Sequence, residues 1–435
     1  MVVLLREPAR PTVIREHPLA PWFAVGAVCF GAFMGQLDAS IVTVAFPALQ
    51  RQFGTGLASV QWVSLAYLLV LTALLVPAGR WSDRIGRKLM YLYGFVIFAA
   101  ASAACGLAPS LAALVVLRVV QAAGAALLQA NSVALVVTSV PARTRRAALG
   151  VQAAAQAIGL AAGPAIGGLL VAAAGWRWVF FLNVPVGVVA VIAGVCLLPR
   201  TRGPAGRLLS GRAPASPPGP GPGGAVPLAV AATAGMLALG ALCAYLVLFG
   251  PLVLFPQVIT ARGGSAESAG LLLTALPCGF GLAATVADRL LPAGWPNRRR
   301  CLLGGAVTAV SAAALAVPAP DAVSVVLLGL LGIGLGIYTP ANNAEIMAAV
   351  PAKDAATAGG MVNMTRGIGT ALGVAVVTLG LRAGALLRSP DSGRTLSMAA
   401  IAAVALLAVA LSAAAAGPRA AAEPGAEPGA AGGAR

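Results

Sequence analysis

The sequence predicts an all-α polytopic membrane protein with twelve transmembrane helices, arranged as two six-helix bundles with pseudo-two-fold symmetry. Three observations carry that prediction. First, 59% of the 435 residues are hydrophobic and only 9% charged, at a mean hydropathy of +0.92. Soluble domains carry about 25% charged residues, so this chain lacks the charge to clothe a water-facing surface. Second, apolar runs of bilayer-crossing length recur along the chain. About 20 residues suffice for a crossing, because a helix rises about 1.5 Å per residue. Third, the basic residues are unevenly placed. The net charge is +17, from 29 Lys and Arg against 12 Asp and Glu. A nucleic-acid binder would hold such an excess on a polar, soluble body, which this composition excludes.

The spans read, in chain order, as 21–46, 58–78, 89–108, 111–138, 147–174 and 178–198. The second set reads as 228–258, 268–287, 302–318, 322–349, 357–383 and 396–416. Between the sets lies a linker at 199–227, whose Pro217-Pro218-Gly219-Pro220-Gly221-Pro222 run is too rich in Pro and Gly for a helix. The seventh span is counted once. No charge lies between Arg212 and Arg262, yet the apolar part is too short for two crossings and a turn. A bend near Pro251 is expected there.

The organisation expected from this count is a cytoplasmic N-terminal tail (1–20), an N-terminal bundle (21–198), the cytoplasmic linker (199–227), a C-terminal bundle (228–416) and a disordered cytoplasmic tail (417–435). The first residues, with Arg6, Arg10, Arg15 and three prolines ahead of the first apolar run, are unlike a signal peptide. With both termini inside, 21 of the 29 basic residues fall on the inner side, 6 on the outer side, and Arg118 and Arg366 fall within spans. That bias is what the positive-inside rule expects. Splitting the seventh span would invert every later loop and spoil it.

The halves echo one another. Arg80-Trp81-Ser82-Asp83-Arg84 follows the second span, and Val286-Ala287-Asp288-Arg289 closes the eighth. Ala157-Ile158-Gly159 in the fifth span recurs as Gly367-Ile368-Gly369 in the eleventh. Duplication of this kind places a substrate path between two bundles near the midplane.

Rare residues exclude other chemistry. The one histidine, His17, lies in the polar tail, and the two lysines, Lys88 and Lys353, do not follow glycine. There is therefore no multi-histidine metal site and no phosphate-binding loop. The six cysteines are dispersed and read as small buried hydrophobes. No metal, no cofactor, no nucleic-acid partner and no enzymatic activity is expected.

Several segments carry motif information. Gly79-Arg80-Trp81-Ser82-Asp83-Arg84-Ile85-Gly86-Arg87-Lys88 joins spans two and three. Its glycines permit a tight turn, and an acid among bases allows charge-assisted hydrogen bonds between helix ends. By themselves these residues also describe an ordinary basic loop. In the fifth span Gly159, Gly163 and Gly167 recur at four-residue steps, with Pro164 and Gly168 beside them. They form either a groove for close helix approach or a generic small-residue face. Leu37-Asp38-Ala39-Ser40 in the first span, Arg118-Val119-Val120-Gln121 in the fourth, Trp176 to Gly187, Pro340-Ala341-Asn342-Asn343, and Asn363-Met364-Thr365-Arg366 complete the set.

Together these segments resemble the major facilitator superfamily, and within it the multidrug drug:proton antiporter branch. The resemblance covers nearly all twelve spans. It departs where Ala122 stands for a usual glycine, where the 351–355 loop lacks an arginine, and where the fourteen-helix members insert two further spans between the halves. It implies the major facilitator fold and secondary active transport by alternating access. It further implies proton-coupled efflux of small amphipathic or cationic drugs or antibiotics. The alternative is a metabolite or nutrient transporter of the same fold with another substrate or direction. Gly79, Asp83, Arg84, Gly86, Arg87 and Lys88 would then form the latch of the inner gate. The implied partners are the lipid bilayer, a small-molecule substrate and protons. The implied setting is the plasma (inner) membrane of a bacterium, multi-pass and monomeric, with both termini cytoplasmic.

A charge at bilayer depth costs at least about 2.5–3.5 kcal/mol on insertion scales, so each embedded charge is a functional hypothesis. Asp38 is the acid with apolar sequence on both sides. Three roles are open to it: proton carrier, site for a cationic substrate, or structural partner of an arginine. Arg118 and Arg366 stay charged when buried and need partners. The family position of Arg118 implies that it modulates Asp38. Asn363 and Arg366, three residues apart on one helical face, can line the path together. Gln61, Trp62, Tyr67 and Asn131 are further candidates for cavity walls. Glu345 reads as an interfacial carboxylate in preference to a cavity acid.

Overall fold

The computed structural model describes Glu7 and residues 10–201, 228–292, 294–349, 355–387 and 391–415; within them some side chains, including those of Asn363, Asp288 and Arg289, lie outside the described set. The proline-rich part of the linker (202–227), Lys353 and the C-terminal tail also lie outside it. Twelve long helices occur among the described residues. In the first half they are α1 Ala20–Val44, α2 Trp62–Ile85, α3 Arg87–Gly106, α4 Leu111–Ser139, α5 Arg145–Ala174 and α6 Asn183–Leu197. In the second half they are α7 Leu228–Ala261, α8 Ala266–Leu290, α9 Asn297–Leu315, α10 Asp321–Ala349, α11 Ala355–Leu386 and α12 Ser392–Ala414.

Eleven of these segments are long and apolar enough to cross a membrane, α6 together with the short helix Arg177–Phe181 before it. The exception is α9. The sequence places a ninth span at 302–318, but the helix starts at Asn297 and takes Arg298, Arg299 and Arg300 into its first turn. Its apolar stretch is correspondingly shorter. The seventh span is one helix, as expected, carrying Pro251 and Pro256 inside it. The first span stops at Val44 instead of 46. Pro47 has no N–H to continue the ladder, so the chain breaks at Ala45 and restarts as Phe46–Phe53.

The packing repeats between halves. α1 lies against α5, α4 and α6, and α7 lies against α11, α10 and α12. Likewise α2–α4, α3–α4 and α3–α6 recur as α8–α10, α9–α10 and α9–α12. Both halves therefore use one arrangement of six helices. They meet mainly along α5–α8 and α2–α11, two contacts that the same two-fold exchanges.

Small residues set how closely these helices approach. A Cβ at Gly159 would strike the Phe33 backbone carbonyl, and one at Gly163 would strike the Ser40 side chain. One at Gly167 would meet Ile41. The four-residue stripe thus seats α5 on α1 inside its own bundle. The neighbouring face serves a different contact. A Cβ at Gly168 would meet the backbone of Ala266 and Glu267, and one at Gly270 the carbonyl of Pro164. The Pro164–Gly168 step is therefore where the two bundles touch backbone to backbone. Gly168→Leu is expected to push α8 off α5 toward the ordinary interaxial spacing of about 8–10 Å. Spin labels at the exposed Leu169 and Leu271 would report a longer distance in the variant; an unchanged distance would contradict this contact.

Candidate functional site

Asp38 and Arg118 form a buried ion pair inside the N-terminal bundle. The Arg118 guanidinium donates to Asp38 Oδ2 at 2.7 Å, with side-chain exposures of 1% and 0%. Asp38 Oδ1 accepts from Gln121 Nε2 at 3.0 Å and from Asn183 Nδ2 at 2.9 Å. Both carboxylate oxygens are thus satisfied, and by donors alone. Arg118 also donates to Gln121 Oε1 at 2.8 Å and, through Nε, to the Val63 carbonyl at 3.0 Å. Ser102 Oγ accepts from Asn183 and Gln121, and itself donates to the Phe180 carbonyl at 2.9 Å. Five helices, α1 to α4 and α6, and the Phe180 carbonyl before α6 contribute to the network around one carboxylate. A charge pair survives without water only when its remaining lone pairs and protons are satisfied in this way.

Local sequence explains part of the convergence. Gln121 lies three residues after Arg118, so both project from one face of α4. Asn183 is the first residue of α6, just past the break at Leu182 that separates it from Arg177–Phe181. Tyr67 of α2 closes the far side. Its ring lies 4.0 Å from the Arg118 guanidinium carbon, a cation–π contact in a dry setting. The Tyr67 hydroxyl is buried and has no hydrogen-bond partner among the described residues.

Tyr67 is also a wall of the central cavity. Two adjoining cavities of about 30 Å³ each lie between the bundles. Gly35, Gln36, Gln129 and Arg366 line both; Tyr67, Thr72 and Phe249 line one, and Ser132, Gln152 and Gln156 the other. Ligand pockets usually measure about 300–1,000 Å³, so the path is closed at its centre here. Asp38 lies behind Tyr67 and lines neither cavity. Arg366 does face in. It donates to Gln156 Oε1 at 3.3 Å across the bundle boundary and lies 5.1 Å from the Tyr245 ring centre. The Asn363 side chain is outside the described residues.

Of the other candidates, Asn131 is buried within the bundle and donates to Ser82 Oγ at 2.7 Å, tying α4 to α2. Trp62 is about half exposed. Gln61 donates to the Ala58 carbonyl near the start of α2. Glu345 is half-buried and lies four residues from the end of α10.

The 79–88 segment folds as the end of α2, a turn at Gly86 and the start of α3. Gly86 has φ +127°, which favours glycine. Arg87 pairs with Asp83 at 2.6 Å, while Arg84 is exposed. Lys88 is fully buried, and its ammonium donates to the Val195 and Leu198 carbonyls at 2.9 and 2.6 Å. It caps the end of α6. The Lys88 N–H bonds Thr201 Oγ1, and Thr201 is itself held by the Glu7 carboxylate. These bonds all lie within the N-terminal half.

Arg118→Met would strand the Asp38 charge and is expected to cost about 3–5 kcal/mol, the range for breaking a buried pair. The drop would be read as a lower thermal midpoint in detergent. Adding Asp38→Asn should recover most of it. Equal midpoints for the single and double variants would argue against the pairing.

Two like-folded six-helix halves around a closed central cavity define a polytopic helical membrane protein built as a pseudo-symmetric pair of bundles. The chain belongs to the Major Facilitator Superfamily, whose family model matches residues 28–374. Over 400 residues it is 31% identical to the methylenomycin A resistance protein of Streptomyces coelicolor, covering 81% of this chain and 84% of that protein. It is 43% identical over 182 residues to the tetracenomycin C resistance and export protein of Streptomyces glaucescens, covering 42% of this chain. It is 36% identical over 179 residues to the riboflavin transporter RibZ of Clostridioides difficile, covering 41% of this chain. The matched stretches span only 34% and 39% of those two proteins' own lengths. In fold it is similar to the crystal structure of a bacterial homolog of the human lysosomal transporter Spinster, in an inward-facing, occupied conformation. That likeness has a TM-score of 0.73 at 18% identity, covering 92% of this chain and 97% of that one.

Proposed function

We propose that the chain is a proton-coupled exporter of small amphipathic, antibiotic-like compounds, in a bacterial plasma membrane with both termini cytoplasmic. The observation that carries this is the buried Asp38–Arg118 pair, whose guanidinium is stacked on Tyr67, a residue that also lines the central cavity. An ion pair so placed can be changed by a proton on one side and by a ligand on the other.

The coupling runs through named atoms. With Asp38 ionised, Arg118 is held by Oδ2, and Tyr67 stacks on the guanidinium. A proton on Asp38 cancels the attraction and puts a hydrogen where only donors now point. Gln121 can answer by turning its amide, offering Oε1 to the carboxylic acid; its two ends are interchangeable in shape. That rotation removes an acceptor from Arg118, which is then free to shift with the Tyr67 ring. A ligand pressing on Tyr67 from the cavity works the same linkage in reverse. Proton and substrate thus oppose one another through one side chain, as antiport requires.

Under this orientation the 79–88 loop lies on the cytoplasmic side, where the Lys88 cap and the Asp83–Arg87 pair stiffen the hinge between α2 and α3. The Pro164–Gly168 contact with α8 lies toward the outer side and parts when the path opens outward. The kinship with resistance and export proteins supports this direction. Kinship with a riboflavin transporter favours a second reading, a metabolite carrier. Inside-out vesicles separate the two, since export appears as accumulation driven by an acid interior.

Asp38→Asn is expected to insert at normal abundance yet to lose pH-gradient-driven flux, with substrate-induced proton release falling to the level of empty vesicles. Full drug-driven proton release in that variant would sink the assignment.

A further inference from the structure

We infer that the translocated substrate is an organic anion whose acidic oxygens bind Arg366, with the Tyr67 hydroxyl as a second donor. This deepens the exporter reading and rests on it; it selects the charge of the substrate. Acids and bases are out of balance within the spans. Of the twelve acids, Glu7, Glu16 and Asp391 lie outside the long helices, and Asp354, Glu423 and Glu427 lie outside the described residues. Asp83, Glu267, Asp288, Asp321 and Glu345 lie within four residues of a helix end. Among the described residues Asp38 is the one acid in the interior of a span. Its oxygens are committed to Arg118, Gln121 and Asn183.

Arg366 is the other cation in the interior of a span, and among the described residues no carboxylate is paired with it. It sits in the middle third of α11, and its described partners are a neutral amide and an aromatic face. Among the described residues no acid lines either central cavity. A guanidinium cannot shed its proton to escape the cost of burial. An anion in the cavity would relieve that cost and gain charge-assisted hydrogen bonds, which a guanidinium delivers in pairs.

A second, independent feature points the same way. Tyr67 lines the same cavity and is 1% exposed, and its buried hydroxyl has no described partner. A buried hydroxyl without a partner is costly, and an acidic oxygen would accept from it. The route beyond is basic as well. Arg366, Thr370, Val374, Thr378 and Arg382 follow at four-residue steps on one face of α11. That face leads from the midplane to a vestibule of about 470 Å³, at the end of the molecule opposite the 79–88 loop. Arg262, Arg382 and Arg394 line this vestibule against one acid, Asp391, which is bonded to Arg262 at 2.9 Å. Such a field draws anions outward along the path.

The test compares two dyes that share a xanthene ring, the fluorescein anion and the rhodamine 6G cation. Both would be bound to the full chain in phosphatidylcholine nanodiscs and followed by fluorescence polarisation. Fluorescein is expected to bind more tightly than rhodamine 6G. Arg366→Gln should weaken fluorescein binding about tenfold or more, and Arg366→Lys by less. Equal or tighter binding of the cation, no binding of the anion, or an indifferent Arg366→Gln variant would overturn the inference. So would loss of fluorescein binding in phosphatidylglycerol discs, which would assign the site to a lipid headgroup. Flux is read separately. If neither dye moves with a pH gradient while the charge preference holds, the exporter reading fails and the anion site stands.

Discussion

A bilayer interior offers no water to solvate charge, so a charge placed there must be matched by the protein or by what it carries. The Asp38–Arg118 pair is the matched case. To satisfy it, α1, α2, α3, α4 and the start of α6 all contribute a bond or a ring. The network around one carboxylate therefore ties together five of the six helices of a bundle. Any change in its charge is felt by all the elements that hold it. On the proposed coupling, this is how a proton, with no shape of its own, would act on a structure of this size.

The close helix contacts are the second requirement. Glycines at 159, 163 and 167 bring α5 against α1, the helix that carries Asp38. The Pro164–Gly168 step on the adjoining face brings α5 against α8 of the other bundle. A single helix thus borders both the ion pair's scaffold and the seam that must open. Arg366 reaches Gln156 on this same α5 from the opposite bundle. The ion-pair network, the cavity and the interface between the bundles share one helix, and packed helices transmit small shifts.

Much of this was legible in the sequence, for identifiable reasons. Hydropathy and the placement of arginines give the helices and their alternation, because the bilayer imposes both. The exposure of a charge to hydrocarbon marks Asp38, Arg118 and Arg366. Gln121 and Asn183 lie inside the quoted motifs, yet nothing in their spacing says that both point at one carboxylate. Ser102 stands in an alanine-rich run without any signal. The role of Tyr67 as the wall between ion pair and cavity depends on the rotation of α2 about its axis, which periodicity leaves open. The sequence also treats Lys88 as one base of a polar loop, whereas it is buried under the end of α6; the partners that allow this are backbone carbonyls, which have no signature in side-chain pattern. The ninth helix differs for the converse reason, since three arginines can begin a helix as readily as precede one.

The central claim is that the proton and the substrate act on the same carboxylate. Infrared difference spectroscopy of the carboxylic acid C=O stretch, with Asp38→Asn to assign the band, tests it directly. A protonated Asp38 band that grows as pH falls and shrinks when substrate is added at constant pH is expected. A band that follows pH but ignores substrate would contradict it.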